Sequence, residues 1–211
     1  MAKLTNKSKS SILNQILHRG RRHYKQRTGV LFASFADQYL ENVPLIDLDS
    51  IEISDLFRLI SIHWGKSERK ATKKPQIEIF NTTSSKHEFS VARTIIQIVT
   101  NDMPFLVDSV SAELNRQNLD VRVVMHPILN ICRNKSGKII KIVKPNAENV
   151  DAISESFMQF QLSEQPPSTL SSLKNDIERC VADVSSVSED KDLMHQKMCL
   201  RIKELSLKAD A

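Results

Sequence analysis

The sequence predicts an α+β fold: an antiparallel, ferredoxin-like sheet with helices on one face, flanked by amino- and carboxy-terminal helices. Three observations predict it. Thr94-Ile95-Ile96-Gln97-Ile98-Val99-Thr100 is a short apolar, β-branched run of the kind that forms a buried strand. A corner, Asn101-Asp102-Met103-Pro104, separates it from Leu106, Val107, Val110 and Leu114, which recur at helical spacing. Extended character then returns after Asn118, through Val121-Arg122-Val123-Val124-Met125 to Ile128-Leu129-Asn130-Ile131-Cys132. Strand, tight turn, helix, strand is a split βαβ unit. At the corner, Asn101 or Asp102 is expected to cap the helix and Pro104 to lie in its first turn.

The remaining elements follow in order. Ser11 is a candidate cap for a first helix with Ile12, Ile16 and Leu17 on one stripe. Thr28 to Asn42 reads as a second helix, carrying Phe32, Phe35, Ala36, Tyr39 and Leu40, and Pro44 ends it. Ser54 would cap a third, with Leu56, Phe57, Leu59, Ile60, His63 and Trp64; His63 and Trp64 read as core residues with bonded ring nitrogens. Lys66 to Pro75 is a basic linker. Gln76 to Asn81 alternates and reads as a strand, Thr82 to Lys86 as a turn, and His87 to Thr100 as the returning half of a hairpin. Proline in His126-Pro127 implies an edge or a bulge there. Lys135-Ser136-Gly137-Lys138 is a turn, Ile139 to Val143 a strand, Pro145 to Val150 a loop, and Phe157 to Leu162 another strand. Past Pro166-Pro167, Leu170, Leu173, Ile177, Val181 and Val184 share a helical face. Ser185 to Asp190 is expected to interrupt that helix before a last one marked by Met194, Met198, Ile202 and Leu205. The expected division is 1–75 (helical segment with basic linker), 76–185 (α+β domain) and 186–211 (carboxy-terminal helix).

Composition narrows the function classes. Forty per cent of the 211 residues are hydrophobic and 26% charged, which is globular. Only four glycines occur, arguing against a glycine-rich nucleotide fold, and no phosphate loop, dinucleotide fingerprint or HExxH is present. The three cysteines, Cys132, Cys180 and Cys199, have no CxxC spacing and read as reduced thiols of a cytoplasmic protein. No apolar run is long enough to span a bilayer. No acidic residue precedes Asp37, and the basic start of residues 1 to 27 reads as a surface helix docked by aliphatics. Few aromatics accompany those charges or the Lys66 to Lys74 run, which argues against a nucleic-acid interface. Asp102 and Asp108 could be paired acids, but a cap and a first-turn acid suit them better. His18 and His23 are out of phase for a helical metal pair, and His126 reads as structural.

Asp102-Met103-Pro104-Phe105-Leu106-Val107-Asp108-Ser109-Val110 resembles the first strand-to-helix corner of ACT domains, small regulatory modules that often bind amino acids. Asn101 to Val110, followed by Val124-Met125-His126-Pro127-Ile128-Leu129 and the Lys135 to Lys138 hairpin, resembles the amino-terminal ACT-like region of the large bacterial NAD-specific glutamate dehydrogenases. The resemblance is clearest from Arg93 to Gln161. It implies a non-catalytic, regulatory or docking part of an enzyme that oxidatively deaminates L-glutamate to 2-oxoglutarate and ammonium. The partners it implies are the remaining domains or subunits of that dehydrogenase, or further copies of the chain. NAD would belong to the full-length enzyme, with no cofactor in this chain, because the family's catalytic and NAD-binding residues have no counterpart here; the chain would be a fragment or truncated form. The ACT resemblance also implies an effector or docking corner at Asn101, Asp102, Met103, Pro104 and Phe105, where backbone N–H groups can hold an anionic group. Phe105 stands where amino-acid-binding ACT domains favour glycine. A free-standing amino-acid-binding module and, behind it, a nucleic-acid binder are the alternative readings.

Overall fold

The structure, a computed structural model, describes residues 8–68, 74–84, 89–144 and 151–209. Residues 69–73 of the basic linker, 85–88 of the first hairpin and all of the expected 145–150 loop lie outside the described residues.

Four helices precede the sheet: α1 Lys9–His23, α2 Gln26–Glu41, α3 Leu45–Asp49 and α4 Ile53–Ser67. Ser8, not Ser11, caps α1, its hydroxyl accepting from the Ser11 amide at 3.2 Å. Gly20 lets α1 and α2 close together, because a Cβ there would stand 2.6 Å from the Phe32 ring. The short α3 is absent from the sequence reading; Pro44 sits at its N-cap and starts this helix as well as ending the previous one. Helix α4 begins at Ile53 behind Glu52, so Ser54 lies inside it and is not its cap.

The sheet comprises β1 Gln76–Asn81, β2 Thr94–Asn101, β3 Val121–Met125, β4 Ile128–Arg133, β5 Ile139–Val143 and β6 Ile153–Leu162. Its order is β1-β2-β6-β4-β5, all antiparallel, with β3 also beside β6. Ten residues long, β6 pairs with β2 along one edge; β3 and β4 share the other. The extended run expected from Val121 to Cys132 is therefore two strands, broken at His126-Pro127, where the Pro127 carbonyl still accepts from the Phe157 amide at 2.9 Å. Proline cannot donate to a ladder, so the break falls where the sequence places it. The Lys135–Lys138 turn closes with Gly137 at φ 77°, a conformation that glycine adopts without strain.

Helix α5, Leu106–Arg116, lies between β2 and β3, and α6, Leu170–Ala209, runs as one helix. The interruption expected at Ser185 to Asp190 is not there. That stretch has neither glycine nor proline, and Ser186 returns its hydroxyl to the Ala182 carbonyl at 3.1 Å, so its polarity reflects exposure alone.

Each face of the sheet carries a core. On one, α5 and α6 bury Leu106, Val110, Leu114, Leu173, Ile177 and Val181 against Ile96, Ile98, Met158, Phe160 and Leu162. On the other, Ile12, Ile16, Phe32, Phe35, Tyr39, Leu56, Ile60 and Trp64 pack on Val99, Met125, Leu129, Ile131, Ile139 and Phe157. Each large side chain buried in this way contributes about 2 to 3 kcal/mol.

Polar bonds tie the amino-terminal helices to the sheet. The partly buried Arg133 guanidinium grips both Glu155 oxygens at 2.7 Å and donates to the Ser67 and Gly137 carbonyls. Fully buried His63 bridges Tyr39 and the Ile98 carbonyl. A carbonyl only accepts, so Nε2–H donates to Ile98, and Nδ1 accepts from the Tyr39 hydroxyl at 3.0 Å. Trp64 departs from the expectation of a bonded ring: its Nε1 has no partner among the described residues.

Burial holds the His63 imidazole far below its ordinary 6.5, at about 3, against the raising effect of the Ile98 carbonyl. An unfolded His63 takes up its proton near 6.5 while the folded one refuses it, so acid favours unfolding throughout that window. The contribution is complete above about pH 6.5 and falls as pH drops toward 3. Between pH 7 and pH 5 this group alone is expected to remove about 2 kcal/mol, read as a lower urea midpoint. A His63→Gln variant with the same midpoint shift between those two pH values would refute the assignment.

Candidate functional site

The corner between β2 and α5 is built by an abrupt change of backbone. After Asn101 the chain leaves the sheet, with the Asp102 amide still donating to the Ser154 carbonyl at 2.9 Å. The chain then turns through Met103 and Pro104 into Phe105, which is the N-cap of α5 at φ 66°, ψ 5° and makes no side-chain capping bond. Neither Asn101 nor Asp102 caps the helix, and Pro104 precedes its first turn. The cap is instead conformational: the left-handed Phe105 aims its carbonyl to accept from the Ser109 amide at 2.9 Å.

Glycine would occupy that conformation freely, whereas a side chain there costs about 1 kcal/mol or more. Phe105→Gly is therefore expected to raise the melting temperature by about 1 to 3 °C, the relief of the left-handed backbone outweighing the entropy that glycine adds to the unfolded chain. A lower melting temperature would mean that the ring contributes more packing than its backbone costs.

The ring itself is 63% exposed. With Pro104 and Ser109 it forms one wall of an apolar groove of about 360 Å³, whose other wall is Val184 and Val187 of α6. Val187 is 64% exposed, and the apolar line continues along α6 through exposed Met194, Met198 and Ile202. Of the five corner residues, Pro104 and Phe105 line the groove and partly buried Met103 packs into the core beneath, while Asn101 and Asp102 do neither. Residues Val184 and Val187 have no place in the corner motif. Their signal is the apolar spacing of α6 carried beyond the turns that the sheet covers.

Polar groups gather on the strand side of the corner. The His126 ring meets the buried Ser156 hydroxyl at 2.6 Å, with Asp102 and Asp108 close enough to act on it electrostatically. Desolvation lowers the His126 pKa, against the pull of the two carboxylates. Desolvation raises Asp102, opposed by His126 and by a bond from the Met103 amide. The structure therefore brings His126 beside Asp102 and Asp108, which sequence spacing treated apart from it. Ser156 is fully buried and offers no accessible nucleophile. Among the described residues, no group of histidine, cysteine and acidic side chains could hold a metal ion, and no helix is long and apolar enough to cross a membrane. His18 and His23 lie on α1, away from the corner.

Comparison with known proteins adds a family. Residues 35–177 match the family described as "Glutamate dehydrogenase, ACT1 domain". The chain is similar to the NAD-specific glutamate dehydrogenase of Pseudomonas aeruginosa, 26% identical over 162 residues, covering 77% of this chain and 10% of that protein. It is 25% identical over 173 residues to the NAD-specific glutamate dehydrogenase of Halomonas elongata, covering 82% of this chain and 11% of that one. It thus spans about a tenth of the length of these relatives. No solved structure matches.

Proposed function

From a chain that belongs to the glutamate dehydrogenase ACT1 domain family, we propose a non-catalytic docking part of an NAD-specific glutamate dehydrogenase, which joins the other domains or subunits of that enzyme. The observation that supports this reading is the groove between Phe105 and Val187, with its apolar extension along α6. A phenyl ring left 63% exposed on a left-handed backbone gains little from the fold. It gains by burial against a partner, where aromatic anchors dominate binding. An amino-acid effector at the same corner is the second role the resemblance implies, but Phe105 occupies the space that a glycine would leave for the ligand.

The test is to mix the purified chain with the catalytic remainder of a homologous dehydrogenase and follow the complex by sedimentation. Binding is expected, and Phe105→Glu together with Val187→Glu should weaken it at least about tenfold by placing unpaired carboxylates in the interface. Absence of binding, or binding indifferent to both substitutions, would overturn the reading. Calorimetric titration with glutamate addresses the effector role directly: saturable heat would favour an amino-acid module. The chain alone, given glutamate and NAD, is expected to produce no NADH absorbance above blank, and turnover that follows the chain through purification would overturn the non-catalytic assignment.

A further inference from the structure

The opposite face of the sheet holds a second cleft, of about 370 Å³, beneath the start of α4. Its floor is one row across three strands: Ile95 of β2 pairs with Gln161 of β6, which pairs with Val123 of β3. Asp55 and Leu59 of α4 form the roof, Phe89 and Val91 a side wall, and Arg93 and Arg122 bring positive charge. The lining is thus mixed: Ile51, Leu59, Phe89, Val91, Ile95 and Val123 are apolar, while Glu52 and Asp55 stand with Arg93, Arg122 and Gln161 in the same cleft.

Two observations point to an anionic occupant. The first is the distribution of charge. Asp55 is fully engaged: one oxygen accepts from Arg58 and the other from the Ser90 amide, at 2.9 and 2.8 Å. Arg122 pairs with Asp120. Arg93 donates from Nη1 only to the Ala92 carbonyl, and among the described residues it meets no acid. Its backbone is fixed by three bonds to Thr82, so the guanidinium is carried on a held segment just ahead of β2.

The second observation lies in the floor, where Gln161 is 6% exposed with its Nε2 unbonded among the described residues. A buried amide donor without a partner costs about 1 to 3 kcal/mol.

We propose that this cleft binds a small monocarboxylate with a short apolar body. Arg93 takes the carboxylate through parallel charge-assisted bonds and Gln161 donates to it. Ile95, Val123, Leu59 and Phe89 cover the hydrocarbon. Glu52, exposed at the mouth, repels a second carboxylate, so a dicarboxylate is excluded. This site shares no residue with the Phe105 groove, and its fate is independent of the docking reading.

Isovalerate is the probe, followed in the full chain by ¹H–¹⁵N NMR, with isoamyl alcohol and isoamylamine as neutral and cationic counterparts of the same skeleton. Saturable shifts are expected at Ile95, Val123 and Gln161 with isovalerate, at least about tenfold weaker binding of the alcohol, and none of the amine. Arg93→Gln should weaken isovalerate at least tenfold and bring it level with the alcohol. Gln161→Leu, which removes the orphaned amide, should weaken it without loss of folding. The proposal is overturned by the absence of saturable shifts with isovalerate, by equal affinity for the three probes, or by shifts unchanged in Gln161→Leu and in whichever Arg93 variant, Gln or Lys, keeps its dispersed spectrum.

Discussion

Val110→Asp is expected to leave little folded protein at pH 7. Val110 is fully buried on α5, among Leu106, Leu114 and the apolar residues of β2 and β6. A carboxylate there has no cation within the core. To remain neutral it must hold a proton about three units above its ordinary pKa, which by itself costs about 4 kcal/mol. The valine packing is lost as well. Against a typical domain stability of about 5 to 15 kcal/mol, that is enough to unfold much of the population. Thermal melting of Val110→Asp beside Ala112→Asp, on the exposed side of the same helix, is the measurement. The control is expected to melt within a few degrees of the parent. Val110→Asn separates charge from polarity, because it lacks the ionisation cost and should lose less. A Val110→Asp melting point equal to that of the parent would mean that α5 does not present this face to the sheet.

The register of α5 was legible because its apolar residues are spaced by the helix period and its neighbours are β-branched runs. Other features were not, for identifiable reasons. The left-handed Phe105 is a backbone property with no side-chain pattern, and the residue that usually signals it is glycine, absent here. The continuity of α6 was hidden because Ser185 to Asp190 looks like a turn by composition; yet an exposed helix tolerates polar residues, and only glycine or proline would have broken it. The second cleft was hidden by chain distance. Ile95, Val123 and Gln161 come from three strands, with Arg93 just ahead of the first, and their adjacency is set by β6, read only in part as a strand, with its central place unassigned. By contrast, the corner to which the two groove-lining residues belong was legible as a turn, because strand, turn and helix succeed one another locally. Of the groove's far wall, Val184 was read as part of an apolar helix face but not connected with the corner, and Val187 lay inside the stretch expected to interrupt that helix.

A chain beginning at Gln76 is expected to aggregate or self-associate where the full chain stays soluble. The sheet needs both of its faces covered. Helices α5 and α6 remain in such a fragment, but Val99, Met125, Leu129, Ile131, Ile139 and Phe157 lose the cover given by α1, α2 and α4. The uncovered patch would be on the order of several hundred Å², at or beyond what a monomer exposes. Polar ties are severed with it. Arg133 loses the Ser67 carbonyl, the Ile139 amide loses the Glu68 carbonyl, Gln97 loses the Leu59 carbonyl, and the Ile98 carbonyl loses His63. A buried ion pair between Arg133 and Glu155 becomes open to water on one side. Sedimentation of the two chains at equal concentration distinguishes the outcomes, with dye binding to report the apolar face. A fragment that sediments as a compact monomer, with dispersed amide resonances, would show that the sheet face needs no cover and that the amino-terminal helices are an addition to a self-sufficient unit. Should it form a defined dimer instead, its two sheets would be covering one another, and adding the separate 1–75 segment should dissociate that dimer into one-to-one complexes.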